Sequence, residues 1–232
     1  MWGEDMDVIK ADNLVKLYGR GTNSVYAVNG ISLTIKGGEY VSIIGPSGSG
    51  KSTLLHMLGG LDKPTSGIVT LDGTDLYKLS EAELSVFRRR RFGFIFQMYN
   101  LIPVLTVEEN ITLPLLLDNR PVDKEYINEL LKLLGLADRS RHLPNQLSGG
   151  QQQRVAIGRA LANKPSILFA DEPTGNLDSS TSAEVMEILQ ISIKKYHQSL
   201  IMITHNPKIA DMADRIIEIK DGIIKQDKVV KA

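Results

Sequence analysis

The sequence predicts an α/β fold with a mainly parallel sheet, and three observations carry that prediction. Short apolar, β-rich runs alternate with helical periodicity in the first and last thirds of the chain, which implies parallel strands joined through helices. The stretch between them is helical and reads as an inserted subdomain. With 232 residues, 42% of them hydrophobic, the chain buries enough for one large domain or a core with such an insertion.

Taken in order, residues 25–28 and 31–35 read as strands, Lys36-Gly37-Gly38 as a turn, and Tyr40-Val41-Ser42-Ile43-Ile44 as a buried strand. A Gly-rich turn follows Ile44 and leads to Leu54, Leu55 and Leu58 at helical spacing, so the local order is strand, loop, helix. From about Thr106 to Ala162 the signals are helical. Tyr126, Ile127, Leu130, Leu131 and Leu134 share one face there, and Gly135 supplies a stop. Residues 167–170 and 200–203 are short buried strands flanking a helix from about Ala183 to Tyr196. Residues 216–219, Lys220-Asp221-Gly222 and Ile223-Ile224 form a hairpin pattern.

Lys plus Arg and Asp plus Glu both number 27, so the net charge is zero and no long-range field draws the chain to nucleic acid or anionic lipid. The four consecutive arginines at 88–91 lack interleaved aromatics and read as a solvated face, so no nucleic-acid partner is expected. Cysteine is absent, which removes disulfides and thiolate metal sites. The first seven residues are acidic where a secretory signal is basic and then apolar, and no apolar run nears the ~18 residues of a spanning helix. A cytoplasmic protein is therefore expected.

Gly45-Pro46-Ser47-Gly48-Ser49-Gly50-Lys51-Ser52, continued by Thr53, matches the phosphate-binding loop in the strand-to-helix setting it requires. Glycines let successive N–H groups turn toward phosphate oxygens, and the following helix adds its positive end. Lys51 supplies a charge for the β- and γ-phosphates, and the Ser52 hydroxyl a ligand for Mg²⁺. The loop fits several nucleotide-using classes, so the second half of the chain has to discriminate. There, an apolar strand ends in Asp171-Glu172, the pattern by which nucleotide hydrolases hold Mg²⁺ with an Asp. Strand side chains alternate in direction, so the pair divides between the metal and an attacking water.

Leu147-Ser148-Gly149-Gly150-Gln151 resembles the signature motif of the ABC ATPase family, with Ser148 placed to cap a helix beginning near Gln151. The resemblance runs from about Val8 to Val230. It implies a P-loop NTPase core with an N-terminal antiparallel β subdomain and an inserted α-helical subdomain, all within one ABC ATPase domain. The nucleotide-binding core would take residues 1–97 and 163–232, and the helical subdomain with the signature motif residues 98–162. The family also implies roles for single residues. Tyr18 would stack on adenine, although Tyr26 offers a π-face nearby. Gln97 would join the Mg²⁺ shell, Glu172 act as general base and His205 bind the γ-phosphate. Ser148, Gly149, Gly150 and Gln151 would act in trans on the ATP of a second subunit, with Asp178 at the dimer contact. Asn176 stands where small residues are common, a mild departure. His56, His142 and His197 match nothing and read as structural or solvent-facing.

The same resemblance implies an ATPase that dimerises with ATP and works peripherally at the inner face of the membrane, on a separate membrane-spanning permease subunit. The apolar segment 101–105 after Gln97 would be the docking groove. Phe94-Ile95-Phe96-Gln97, Asn100-Leu101-Ile102-Pro103 and the signature run are similar to the lipoprotein-release and macrolide-exporter subgroup, which includes a cell-division ATPase that signals through its partner without transporting. Transport and signalling both stay open on the sequence. A GTPase is excluded because no Asn-Lys-x-Asp base-reading motif occurs, and DNA-repair relatives because only 120 residues without sustained heptads separate Lys51 from Asp171. Ribosome-acting relatives usually carry two cassettes, and this chain has one.

Overall fold

The computed structural model describes residues 7–19 and 21–230, with Thr22 described in its backbone only. Of the acidic N-terminal stretch, residues 1–6 lie outside the described residues. In chain order the elements are β1 (Asp7–Tyr18), β2 (Val25–Lys36), β3 (Tyr40–Ile44), α1 (Lys51–Leu58), β4 (Ser66–Leu71), β5 (Thr74–Asp75), α2 (Glu81–Arg91) and β6 (Phe92–Phe96). They continue with α3 (Val107–Leu117), α4 (Lys124–Leu133), α5 (Gly149–Leu161), β7 (Ile167–Asp171), α6 (Ser179–Lys195), β8 (Ser199–Ile203), α7 (Pro207–Ala210), β9 (Arg215–Lys220) and β10 (Ile223–Val229). The chain divides into two compact units, one holding it up to Arg88 and from Ser199 onward, the other Arg89–Gln198.

In the first unit an antiparallel sheet has the order β2-β1-β4-β5. The sequence suggests two strands where β2 is continuous. Asn29-Gly30 does not break it, because the β1–β2 ladder shifts register near Leu14 and the extra residues are absorbed as a bulge, with Gly30 at φ 74°. A second set of strands carries the phosphate loop: β3 pairs in parallel with both β8 and β9, and β9 antiparallel with β10. Asp221 and Gly222 join that hairpin with φ of 51° and 75°, the two positive values a type I′ turn demands. β8 is buried throughout, and Leu54, Leu55, Met57 and Leu58 of α1 are buried too. Strands covered on both faces read as continuous apolar runs, which is why the strands are visible in the sequence. Arg88 donates to the Gly60 carbonyl at 2.5 Å.

In the second unit β6 pairs in parallel with β7, from Phe92 opposite Ile167 to Phe96 opposite Asp171. The Phe92 and Phe94 rings lie 5.2 and 5.3 Å from that of Phe169. Helix α5 approaches β6 so closely that a Cβ on Gly93 would stand 2.5 Å from the Ala160 carbonyl oxygen. Caps set the helix starts. Asp178 accepts from the backbone N–H groups of Ser180 and Thr181, so α6 begins four residues before the apolar periodicity suggests. Ser148 caps α5 two residues earlier than expected, at Gly149. The arginine run is in part a solvated face, with Arg90 exposed and its neighbours half-buried, but it also makes specific contacts. Arg89 donates to the Leu117 carbonyl, and Arg90 donates to the nearly buried Asp118 carboxylate at 2.8 Å, so the end of α2 is tied to the end of α3.

Candidate active site

In the first unit β3 stops at Ile44 and the chain curls through residues 45–50 into α1. Gly45, Gly48 and Gly50 have φ of 146°, 76° and 102°. Space also dictates two of them: a Cβ on Gly45 or Gly50 would lie 2.0 Å from the carbonyl oxygen of Ile219 or Ala27. Lys51 is buried, and its ammonium donates to the carbonyls of Gly45 and Pro46 at 3.0 and 2.7 Å. Pro46, Ser47 and Gly48 are exposed, Ser49 is buried, and Ser52 is exposed on the first turn of α1. His205 sits exposed just past β8. Ile43 of β3 is opposite Ile203 of β8 in a parallel pair, so His205 and Gly45 leave the sheet at the same end.

Tyr18 closes β1 and is 46% exposed. Tyr18 is opposite Val25 and Leu17 opposite Tyr26, so the two tyrosines face opposite sides of the sheet. The Tyr18 hydroxyl donates to Asp62 at 2.6 Å. Lys16 donates both to the other Asp62 oxygen and to the Lys63 carbonyl, the latter at 2.7 Å. Burial pushes the Asp62 carboxyl up, but the hydrogen bonds from Lys16 and Tyr18 outweigh it and hold the group below the usual carboxylate range. Burial first, and then the bond to Asp62, pushes the Tyr18 hydroxyl up. Neither Asp62 nor Lys16 is singled out by the sequence, since the pairing spans 46 residues.

In the second unit Asp171 ends β7 and Glu172 follows in the left-handed region at φ 47°, which L residues seldom adopt. Gln97 follows β6 on the neighbouring strand. A Cβ on Gly175 would lie 2.8 Å from Gln97 Nε2 and 3.3 Å from Glu172 Oε2, so both side chains lie against this glycine and occupy the space a side chain there would need. Asn176, the departure from the family's pattern, donates to the Gln97 carbonyl at 3.1 Å and accepts from Gln97 Nε2 at 3.3 Å.

The signature residues open α5. The Ser148 side chain accepts from the Gln151 N–H at 3.3 Å, and Gln151 Oε1 accepts from the Ser148 N–H at 2.9 Å. Gly149 and Gly150 are the first two residues of the helix, at the end whose N–H groups have no intrahelical partner. A Cβ on Gly150 would stand 2.2 Å from Thr181 Cγ2, and Thr181 Oγ1 donates to Asp178 at 2.6 Å. The bond from Thr181 holds the Asp178 carboxyl below its ordinary range. Sequence reasoning also missed Arg159, on the same helix, which donates to the carbonyls of Tyr99 and Asn100 at 2.8 and 2.5 Å. It likewise missed Asn110, whose buried amide bonds Ile102, Leu105 and Thr106 and so shapes the segment after Gln97. Within that segment Val104 is 79% exposed.

The structure thus gathers the expected residues in two groups, residues 45–53 with Tyr18 and His205 in one unit, Gln97, Asp171, Glu172, residues 148–151 and Asp178 in the other. Among the described residues no three His, Cys, Asp or Glu side chains cluster as a metal site. The donors expected for Mg²⁺, a hydroxyl, an amide and a carboxylate, are all oxygen ligands, the kind this ion prefers beside phosphate.

A family model described as ABC transporter matches residues 28–175. The lipoprotein-releasing system ATP-binding protein LolD of Cytophaga hutchinsonii is 45% identical over 221 residues, covering 94% of this chain and 99% of that protein. The macrolide export ATP-binding/permease protein MacB of Brucella melitensis is 48% identical over 222 residues, 95% of this chain but 34% of that protein. A solved dimeric structure of the ATP-binding cassette MJ0796 of Methanocaldococcus jannaschii, in a post-hydrolysis state bound to ADP and Pi, matches at 44% identity with a TM-score of 0.88, covering 97% of this chain and 99% of that one.

Proposed function

The chain belongs to the ABC transporter family and is an ATPase of that type, and from this premise we propose that it powers a separate membrane-spanning permease by hydrolysing ATP in a head-to-tail homodimer. The carrying observation is the Ser148-capped start of α5, where two glycines leave backbone donors open at a helix N-terminus. Such an end suits the γ-phosphate of an ATP held by another copy. The LolD and MacB likenesses favour a lipoprotein-, peptide- or drug-handling system, with this chain peripheral on the inner face of the membrane. Residues 98–162 would work as the helical subdomain, and exposed Val104 with its neighbours in 101–105 would meet the permease.

Each residue then has a task. The N–H groups of residues 45–50 and the start of α1 bind the β- and γ-phosphates, and Lys51 adds its charge. Ser52, Gln97 and Asp171 would hold Mg²⁺, which when bound would neutralise phosphate charge. Glu172, its orientation set by the left-handed turn, takes a proton from the attacking water. The water oxygen bonds to the γ-phosphorus while the bond to the bridging oxygen breaks, and that oxygen keeps the electron pair as ADP leaves. His205 donates to a γ-phosphate oxygen, and residues 148–151 of the second subunit screen the opposite side. The Glu172→Gln protein should therefore bind ATP, turn it over very slowly and accumulate as a dimer. Analytical ultracentrifugation at saturating ATP checks this, and a protein that stays monomeric, or keeps full turnover, rules the proposal out.

A further inference from the structure

Tyr18 stands where a ring needs help to hold one pose. It ends its strand, is followed by Gly19 at φ 86°, and is nearly half exposed. A ring so placed samples several rotamers, and fixing it only when the nucleotide arrives subtracts from affinity. Three observations show it already fixed. The Asp62 carboxylate accepts from the Tyr18 hydroxyl at 2.6 Å. Lys16, its side chain 13% exposed, neutralises Asp62 and places its ammonium 5.1 Å from the Tyr18 ring centroid, against one face. Asp62 in turn sits in a turn held by the Tyr77 hydroxyl, which lies 2.6 Å from the Met57 carbonyl oxygen and 2.7 Å from that of Asp62.

We infer that Asp62, backed by Lys16, is a positioning residue for nucleotide binding, holding the Tyr18 ring in the pose that takes the purine base. The inference rests on the reading of Tyr18 as the base-stacking residue. Lys16 covers one face of the ring and leaves the other for the base.

The test measures equilibrium binding of Mg²⁺-ATP and of Mg²⁺-tripolyphosphate, which has no base, to the native protein and to Tyr18→Ala, Tyr18→Phe, Asp62→Ala and the Tyr18→Phe/Asp62→Ala double variant. Tyr18→Ala should weaken ATP binding about tenfold, the scale of one base–aromatic stack. Tyr18→Phe keeps the ring but loses the anchor, and it and Asp62→Ala should each weaken ATP about threefold to fivefold by loss of preorganisation. The double variant should be no worse than either single one, and tripolyphosphate should bind all of them equally. Tyr18→Phe binding ATP as tightly as the native protein, additive losses in the double variant, or equal losses for ATP and tripolyphosphate would overturn the inference while leaving stacking intact. Unchanged ATP binding in Tyr18→Ala would remove the stacking reading itself, and the inference with it. Tyr18→Phe leaves the Asp62 turn unaltered, so it decides the matter even where Asp62→Ala folds poorly.

Discussion

At the scale of the residue, Lys51 is a buried ammonium whose two partners are carbonyls of its own loop, so its charge is held where phosphate oxygens would compete for it. Lys51→Ala removes charge-assisted bonds that contribute about 1.5 to 3 kcal/mol each, and ATP affinity should fall about tenfold to a hundredfold or more. Equilibrium titration with ATP measures this, with urea denaturation confirming an intact fold. The runs at 45–52, 147–151 and 171–172 stand out in the sequence because each motif lies on one continuous stretch of backbone. Gln97 and Tyr18 were legible only through family likeness. Asp62 and the bonding of Asn176 to Gln97 were not legible, since the partners lie 44 and 79 residues apart and only the folded chain brings them together. The left-handed Glu172 has no signal in its residue type, because its turn is imposed by residues 172–175, where the Gly175 N–H returns to the Glu172 carbonyl.

At the scale of the element, buried strands and strongly periodic helices followed from apolar pattern, whereas boundaries followed from caps. Helix α3 shows the limit. Its first half carries Glu108, Glu109, Asn110 and Thr112 while residues 113–117 are wholly apolar and include Pro114, so periodicity says little, and its start is set by the Thr106–Glu109 capping box. Proline at 114 lacks the N–H that would bond the Asn110 carbonyl, while the Asn110 side chain gathers Ile102, Leu105 and Thr106. Asn110→Ala should cost about 1 to 3 kcal/mol by orphaning those groups, read as a lower denaturant midpoint at an unchanged slope. Val104 on the same segment is exposed, so Val104→Glu should leave stability and basal ATPase as they are yet reduce co-flotation with vesicles carrying the permease. Equal flotation of native and variant protein would move the docking surface elsewhere. Composition alone does not reveal that the α3 terminus offers the arginine run the Leu117 carbonyl and the Asp118 carboxylate.

At the scale of the whole molecule, each chain carries one phosphate loop and one signature helix, and in the proposed dimer a two-fold axis would set each helix on its partner's ATP and make two equal composite sites. That arrangement predicts complementation between defects that are each lethal alone. Lys51→Ala spoils the phosphate loop, and Ser148→Arg places a bulky side chain at the exposed cap of α5. Either variant by itself has both of its sites damaged. In a mixed dimer the two lesions fall together in one site, and the other combines a native phosphate loop with a native signature helix. Random pairing makes about half of the dimers mixed, each with one sound site, so an equal mixture should recover about a quarter of native ATPase activity. If each chain instead completed its own site, every site in the mixture would keep one lesion. Activity would then stay at the average of the two variants measured apart. Steady-state phosphate release from the mixture, at a protein concentration where ultracentrifugation shows the mixed dimer, separates the two cases, and no recovery there would exclude action in trans.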